Sequence, residues 1–85
     1  MDHGLPEGFM REAVAAAERG ISLRDGGPFG AVVVREGRVI ARAWNRVIRE
    51  NDPTAHAEVN AIREACRALG RFHLEDCDLY TSCEP

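Results

Sequence analysis

Lysine is absent: all eleven basic residues are arginine, so Schiff-base and other amine-nucleophile chemistry has no candidate side chain. Aromatic residues are few, at 6%, and no apolar run approaches the roughly 20 residues that a membrane span needs. A transmembrane helix is excluded. Residues 1–8 carry Asp2 and Glu7 and no apolar core, so they do not read as a secretory signal. Cysteine is scarce and odd in number. Cys66, Cys77 and Cys83 lack the even, close spacing of a small disulfide scaffold and match no standard zinc pair, so they read as small core hydrophobes. A reducing, cytoplasmic setting fits that usage. No run of like charge marks a phosphate-binding face, and the net charge is −3, which disfavours nucleic acid as a partner.

What is there is ordinary for a globular protein: 85 residues, 45% hydrophobic and 29% charged. A chain this short buries only about 60% of its unfolded surface and forms one domain at most, or a piece of one.

Along the chain, Met10, Val14, Ala17 and Ile21 recur at helical spacing, which predicts an amphipathic helix from Glu7 to about Leu23 with those residues on its apolar face. Asp25 Gly26 Gly27 Pro28 breaks it with residues suited to a left-handed cap and a turn. Phe29 to Val34 is a β-branched apolar run of the kind covered on both faces. Glu36 Gly37 signals a tight turn into Arg38–Trp44, with Val39, Ala41 and Ala43 on one face and Arg38, Ile40, Arg42 and Trp44 on the other. A polar stretch then leads to Asp52 and Thr54, either of which can cap a helix over about His56 to Leu69, with Val59, Ile62, Cys66 and Leu69 on its apolar face and Gly70 as its stop. Asp78 to Cys83 reads as a third strand. The order helix, strand, strand, helix, strand implies a hairpin, a helical crossover and a sheet with helices packed on it. With only two helices for cover, some apolar sheet surface around Val32–Val34 is expected to stay exposed.

The chemistry concentrates in Pro53 Thr54 Ala55 His56 Ala57 Glu58. On a regular helix, positions i and i+2 point in nearly opposite directions, so His56 and Glu58 serve one site only if that site lies off the helix end. A metal held by His56 would then carry a water within reach of Glu58. Taken alone the pair is ordinary, because a glutamate in a first turn complements the helix dipole. It gains meaning from Tyr80 Thr81 Ser82 Cys83 Glu84 Pro85, since H-x-E followed by P-C-x-x-C is the signature of zinc deaminases, and here H-A-E is followed by the P.

Gly26 Gly27 Pro28 Phe29 Gly30 Ala31, Asn45, Asn51 to Glu58 and Leu79 to Pro85 together resemble the cytidine deaminase-like superfamily. Within it, His56 to Arg63 and Tyr80 to Pro85 are most similar to bacterial guanine deaminases. The resemblance implies an α/β fold, the α/β/α deaminase sandwich, here reduced to helix-strand-strand-helix-strand. Residues 1–85 would be the N-terminal part of a single deaminase domain, with the C-terminal half, including the two metal-binding cysteines after the P, absent. It implies zinc-dependent hydrolytic deamination of a nucleobase, guanine to xanthine and ammonia, with His56 on the metal, Glu58 as the catalytic proton shuttle, and Asn45, Phe29 and Ala57 against the base. Asn45 as a plain turn residue and Phe29 as plain core are the structural alternatives. Cys83 sits three residues too early for the family's first cysteine ligand, and His3 and His73 lie in no ligand spacing. The metal site would be incomplete, the chain by itself inactive, and the complete protein a homodimer. Deamination of tRNA adenosine, which wants a basic surface, or of cytosine is the enzymatic alternative. A non-catalytic scaffold that binds a partner through its uncovered sheet is the alternative of a different class.

Overall fold

The β-branched run around Val32–Val34 builds the centre of the molecule. In a computed structural model describing residues 6–83, Phe29–Arg35 forms β1, which pairs antiparallel with β2, Arg38–Trp44, on one side and with β3, Cys77–Cys83, on the other. The sheet order is β2-β1-β3, so β2 and β3 run parallel to each other with β1 between them. Glu36 and Gly37 turn the hairpin with φ of 52° and 75°, a left-handed pair that matches the twist of the strands.

Helix α1, Pro6–Ser22, covers one face of the sheet, and α3, Ala57–Leu69, covers the other. Phe9 and Ala13 of α1 pack with Val32 and Val34, while Ala57, Ala61 and Ala65 of α3 pack with Ala31, Val33, Ala41 and Ala43. The result is the three-layer α/β/α arrangement expected from the sequence, with one addition: a single-turn helix α2, Val47–Glu50, follows β2.

The faces of both helices differ from those read off the spacing. Of the expected α1 face Ala17 is buried, but Met10 and Ile21 are 37% and 47% exposed, whereas Phe9, Ala13 and Ala16 are buried. On α3, Ile62 is likewise exposed while Ala57, Asn60, Ala61 and Ala65 are buried. Close approach decides this on α1. A Cβ on Gly30 of β1 would clash with the Ala13 carbonyl oxygen, so the helix lies almost on the strand at that point and small side chains fill the contact, while Phe9, one turn earlier, packs against Val32 and Val34. Met10 and Ile21 are left on the exposed flanks.

The expected alternation on β2 also fails at its midpoint. The register shifts between Val33 and Val34, which face Ala41 and Val39 respectively, leaving Ile40 as the extra residue of a bulge. Val39 therefore joins the α1 side while Ala41 and Ala43 remain on the α3 side. Val32–Val34 are at most 3% exposed, so the apolar exposure expected there is not found. It lies instead at Phe72, Leu79 and Ile62, along a cleft between α3 and β3 that Cys66 and Leu74 also line.

The left-handed residue after α1 is Arg24, not a glycine of the Gly26 Gly27 pair. Asp52 and Thr54 do not cap α3: the Asp52 carboxylate accepts from the Thr54 N–H and hydroxyl, each at 2.8 Å. The cap residue is His56.

Candidate active site

Three chain segments meet at the end of the sheet where β2 finishes and α3 begins. Phe29 opens β1 and its carbonyl accepts from the Asn45 N–H at 3.1 Å, directly after β2. The Ala55 carbonyl accepts from the Arg46 N–H at 2.9 Å, which pulls the start of α3 against the same strand end. Phe29, Asn45, His56, Ala57 and Glu58 together line a cleft of about 240 Å³. All five residues expected from the sequence thus border one space. A larger open groove of about 910 Å³ lies between β2 and α3 and is lined by Arg42, Arg46, Arg63 and Arg67 among others; His56 and Glu58 do not reach it.

His56 shares a cleft with Glu58 for a simple conformational reason. At φ −74° and ψ 152° His56 is extended, outside the helix proper, so the opposition of i and i+2 on a regular helix does not apply to the pair. Its side chain makes no capping hydrogen bond and is exposed. Glu58, in the first turn, is exposed as well. Nearby, the Asp52 carboxyl is held below the usual range, first by the Thr54 N–H and hydroxyl and further by Arg63 and His56.

Asn45 is 7% exposed, and its environment determines the orientation of its amide. Its Oδ1 accepts from the Gly27 N–H at 3.2 Å and the Val47 N–H at 3.1 Å. Both partners are donors, so the oxygen must face them and the NH₂ group must be the other arm. Asn45 therefore forms a turn and also borders the cleft; the two sequence alternatives are compatible. Phe29 is exposed rather than core, and Ala57 is buried at the cleft floor.

Two buried polar residues that sequence reasoning did not assign hold this end together. Asp25 accepts from Trp44 Nε1 at 2.8 Å and from Arg49 at 3.4 Å, while its carbonyl receives the N–H groups of Ile48 and Arg49 that open α2. Asn60 donates to the carbonyls of Trp44 and Ala55. The available signal was polarity inside apolar surroundings: an Asn at a helix position flanked by Val59 and Ala61, and an Asp followed by two glycines.

His56 fits a metal ligand, an imidazole uncommitted to the fold and open to the cleft. Among the described residues no cluster of three or more His, Cys, Asp or Glu side chains is placed to hold an ion, and His56 is the one described residue at the cleft that fits a zinc ligand by the sequence reading. The Cys83 side chain, Glu84, Pro85 and His3 lie outside the described residues. His73 is exposed and lies 3.1 Å from Glu75, away from the cleft.

The family model for the cytidine and deoxycytidylate deaminase zinc-binding region matches residues 5–85, and the chain belongs to that family. Among curated relatives, it is 57% identical to guanine deaminase of Bacillus subtilis (strain 168) over 79 residues, covering 93% of this chain and 51% of the relative. The solved structure of Bacillus subtilis guanine deaminase superposes with a TM-score of 0.88 at 56% identity, over 94% of this chain and 51% of that one. The tRNA-specific adenosine deaminase of Aquifex aeolicus (strain VF5) is 49% identical over 76 residues, 89% of this chain and 47% of the relative. The chain spans about half the length of these relatives. No helix among the described residues is long and apolar enough to cross a membrane.

Proposed function

We propose that residues 1–85 are the N-terminal part of a single deaminase domain whose complete form hydrolyses guanine to xanthine and ammonia with a bound zinc ion. The observation that carries this reading is the convergence of Phe29, Asn45, His56, Ala57 and Glu58 on one cleft. Zinc, when bound, lowers the pKa of water from 15.7 toward about 7 and so makes a hydroxide nucleophile available at neutral pH.

The chain's own residues supply the rest. His56 would hold the ion through an imidazole nitrogen. Glu58 would take one proton from the attacking water and deliver it to a ring nitrogen of the base, then take the remaining hydroxyl proton and pass it to the amino group, which leaves as ammonia as the C–N bond breaks and the carbonyl forms. Asn45, with its oxygen committed to Gly27 and Val47, offers only N–H donors, which suits the acceptor atoms of a purine edge. Phe29 provides a ring face and Ala57 leaves room for the base.

The 85-residue chain alone, with one ligand, binds zinc poorly and is inactive; the complete protein works as a homodimer. Cys66 and Cys77 are free thiols, in keeping with a reducing, cytoplasmic compartment; a place in purine metabolism follows only from guanine as the substrate. Incubation of the intact protein with guanine, adenine, cytosine and an adenosine-bearing tRNA anticodon stem-loop decides the substrate. Ammonia and xanthine from guanine with stoichiometric zinc is the expected result, and turnover of the RNA in preference to guanine would overturn it.

A further inference from the structure

Asn60 is 3% exposed, an expensive place for a carboxamide unless it is fully used. Its single nitrogen donates to the Trp44 carbonyl at 2.9 Å and the Ala55 carbonyl at 3.2 Å. Trp44 immediately precedes Asn45, and Ala55 immediately precedes His56. The same residue's backbone N–H donates to the His56 carbonyl at 2.9 Å. One residue therefore grips the chain just before the amide on one wall of the cleft, and the chain on both sides of the imidazole junction on the other.

We infer that Asn60 is a positioning residue: it sets the spacing between the base-recognition wall at Asn45 and the metal-and-proton wall at His56 and Glu58. This rests on the deaminase reading above. The residue type is dictated by the geometry. Two carbonyl oxygens aimed at one point need a nitrogen with two hydrogens, which an amide supplies and a carboxylate, hydroxyl or aliphatic side chain does not. Among the described residues the Arg46 N–H is the other donor to the Ala55 carbonyl, so without Asn60 a single bond joins the two walls at this level. Catalysis is sensitive to such slack, because misplacing reacting groups by about 1 Å costs up to about 100-fold in rate.

The test compares the intact wild-type protein with Asn60→Ala and Asn60→Ser, measuring zinc content, kcat and KM on guanine, and hydrogen exchange at the Arg46 N–H. Asn60→Ala is expected to lower kcat by about 10- to 100-fold and to speed Arg46 exchange by about 10-fold, with Val32–Val34 still protected. Asn60→Ser, which keeps one donor, recovers part of both and carries the comparison should the alanine variant not fold. Wild-type kcat and KM in Asn60→Ala, or faster exchange spread equally through Val32–Val34 in both variants, would overturn the inference. Should the wild-type protein leave guanine untouched, the guanine reading fails while Arg46 exchange still decides whether Asn60 clamps the two walls.

Discussion

Gly26 lies against Asn45 so closely that a Cβ on it would stand 2.0 Å from Asn45 Oδ1 and 2.7 Å from the Asn45 carbonyl oxygen. The glycine is a spatial requirement of the cleft wall, separate from any turn geometry. Gly26→Ala must displace the Asn45 side chain, whose Oδ1 is the very atom that accepts from the Gly27 and Val47 N–H groups. The expected outcome is a rise in KM for the base of about 10-fold or more, with zinc content unchanged. A steady-state assay with metal analysis on the same preparation checks it; an unaltered KM would show that Asn45 does not hold the base.

Glu58 and His56 separate by their metal dependence. Glu58→Gln keeps size and hydrogen bonding but cannot accept a proton, so kcat should fall by about 10³-fold or more while zinc stays bound. His56→Ala should lose zinc and activity together. Loss of zinc in Glu58→Gln would turn Glu58 from proton shuttle into structural support.

A pH-dependent contribution is built into the far end of the sheet. Asp76 accepts from Arg35 Nε at 2.8 Å and from Arg71 Nη2 at 2.6 Å, tying β1 to the segment after α3. The Arg35 hydrogen bond, aided by Arg71, holds the Asp76 carboxyl well below the usual carboxylate range despite partial desolvation. A depressed folded-state pKa stabilises the fold above the unfolded value, about 3.9, and that stabilisation fades as pH falls below it. Melting temperatures of the wild type and Asp76→Asn should therefore differ at pH 7 and converge toward pH 2. The pair is solvent-exposed, so the difference is modest, and a gap independent of pH would exclude the ionic origin.

The gathering of the candidate residues at one cleft was more legible than the packing around it. His56, Glu58, Asn45 and Phe29 belong to short blocks whose chemistry depends on residue type, and those survive without any knowledge of neighbours. The α1 face differs from the reading because periodicity weights Met10 and Ile21 by hydrophobicity, whereas the close approach at Gly30 selects alanine; on α3 the small residues Ala57, Ala61 and Ala65 likewise take the buried positions in place of Ile62. Nothing in Arg38–Trp44 announces the bulge at Ile40, since a bulge is a property of two paired strands. Asp25 and Asn60 were passed over because their partners, Trp44, Ala55 and Arg49, are distant in sequence or are backbone carbonyls that every residue carries.

The helix bearing His56 begins with an unusually poor choice of residue. A side-chain oxygen in that slot would bind one of the free N–H groups of the first turn and add about 1 kcal/mol to stability, yet the imidazole there makes no such bond. His56→Ser should accordingly raise the melting temperature slightly while abolishing zinc uptake, as thermal denaturation and elemental analysis would register. A screen of variants for heat resistance alone would erode the very position on which the hydrolytic chemistry depends.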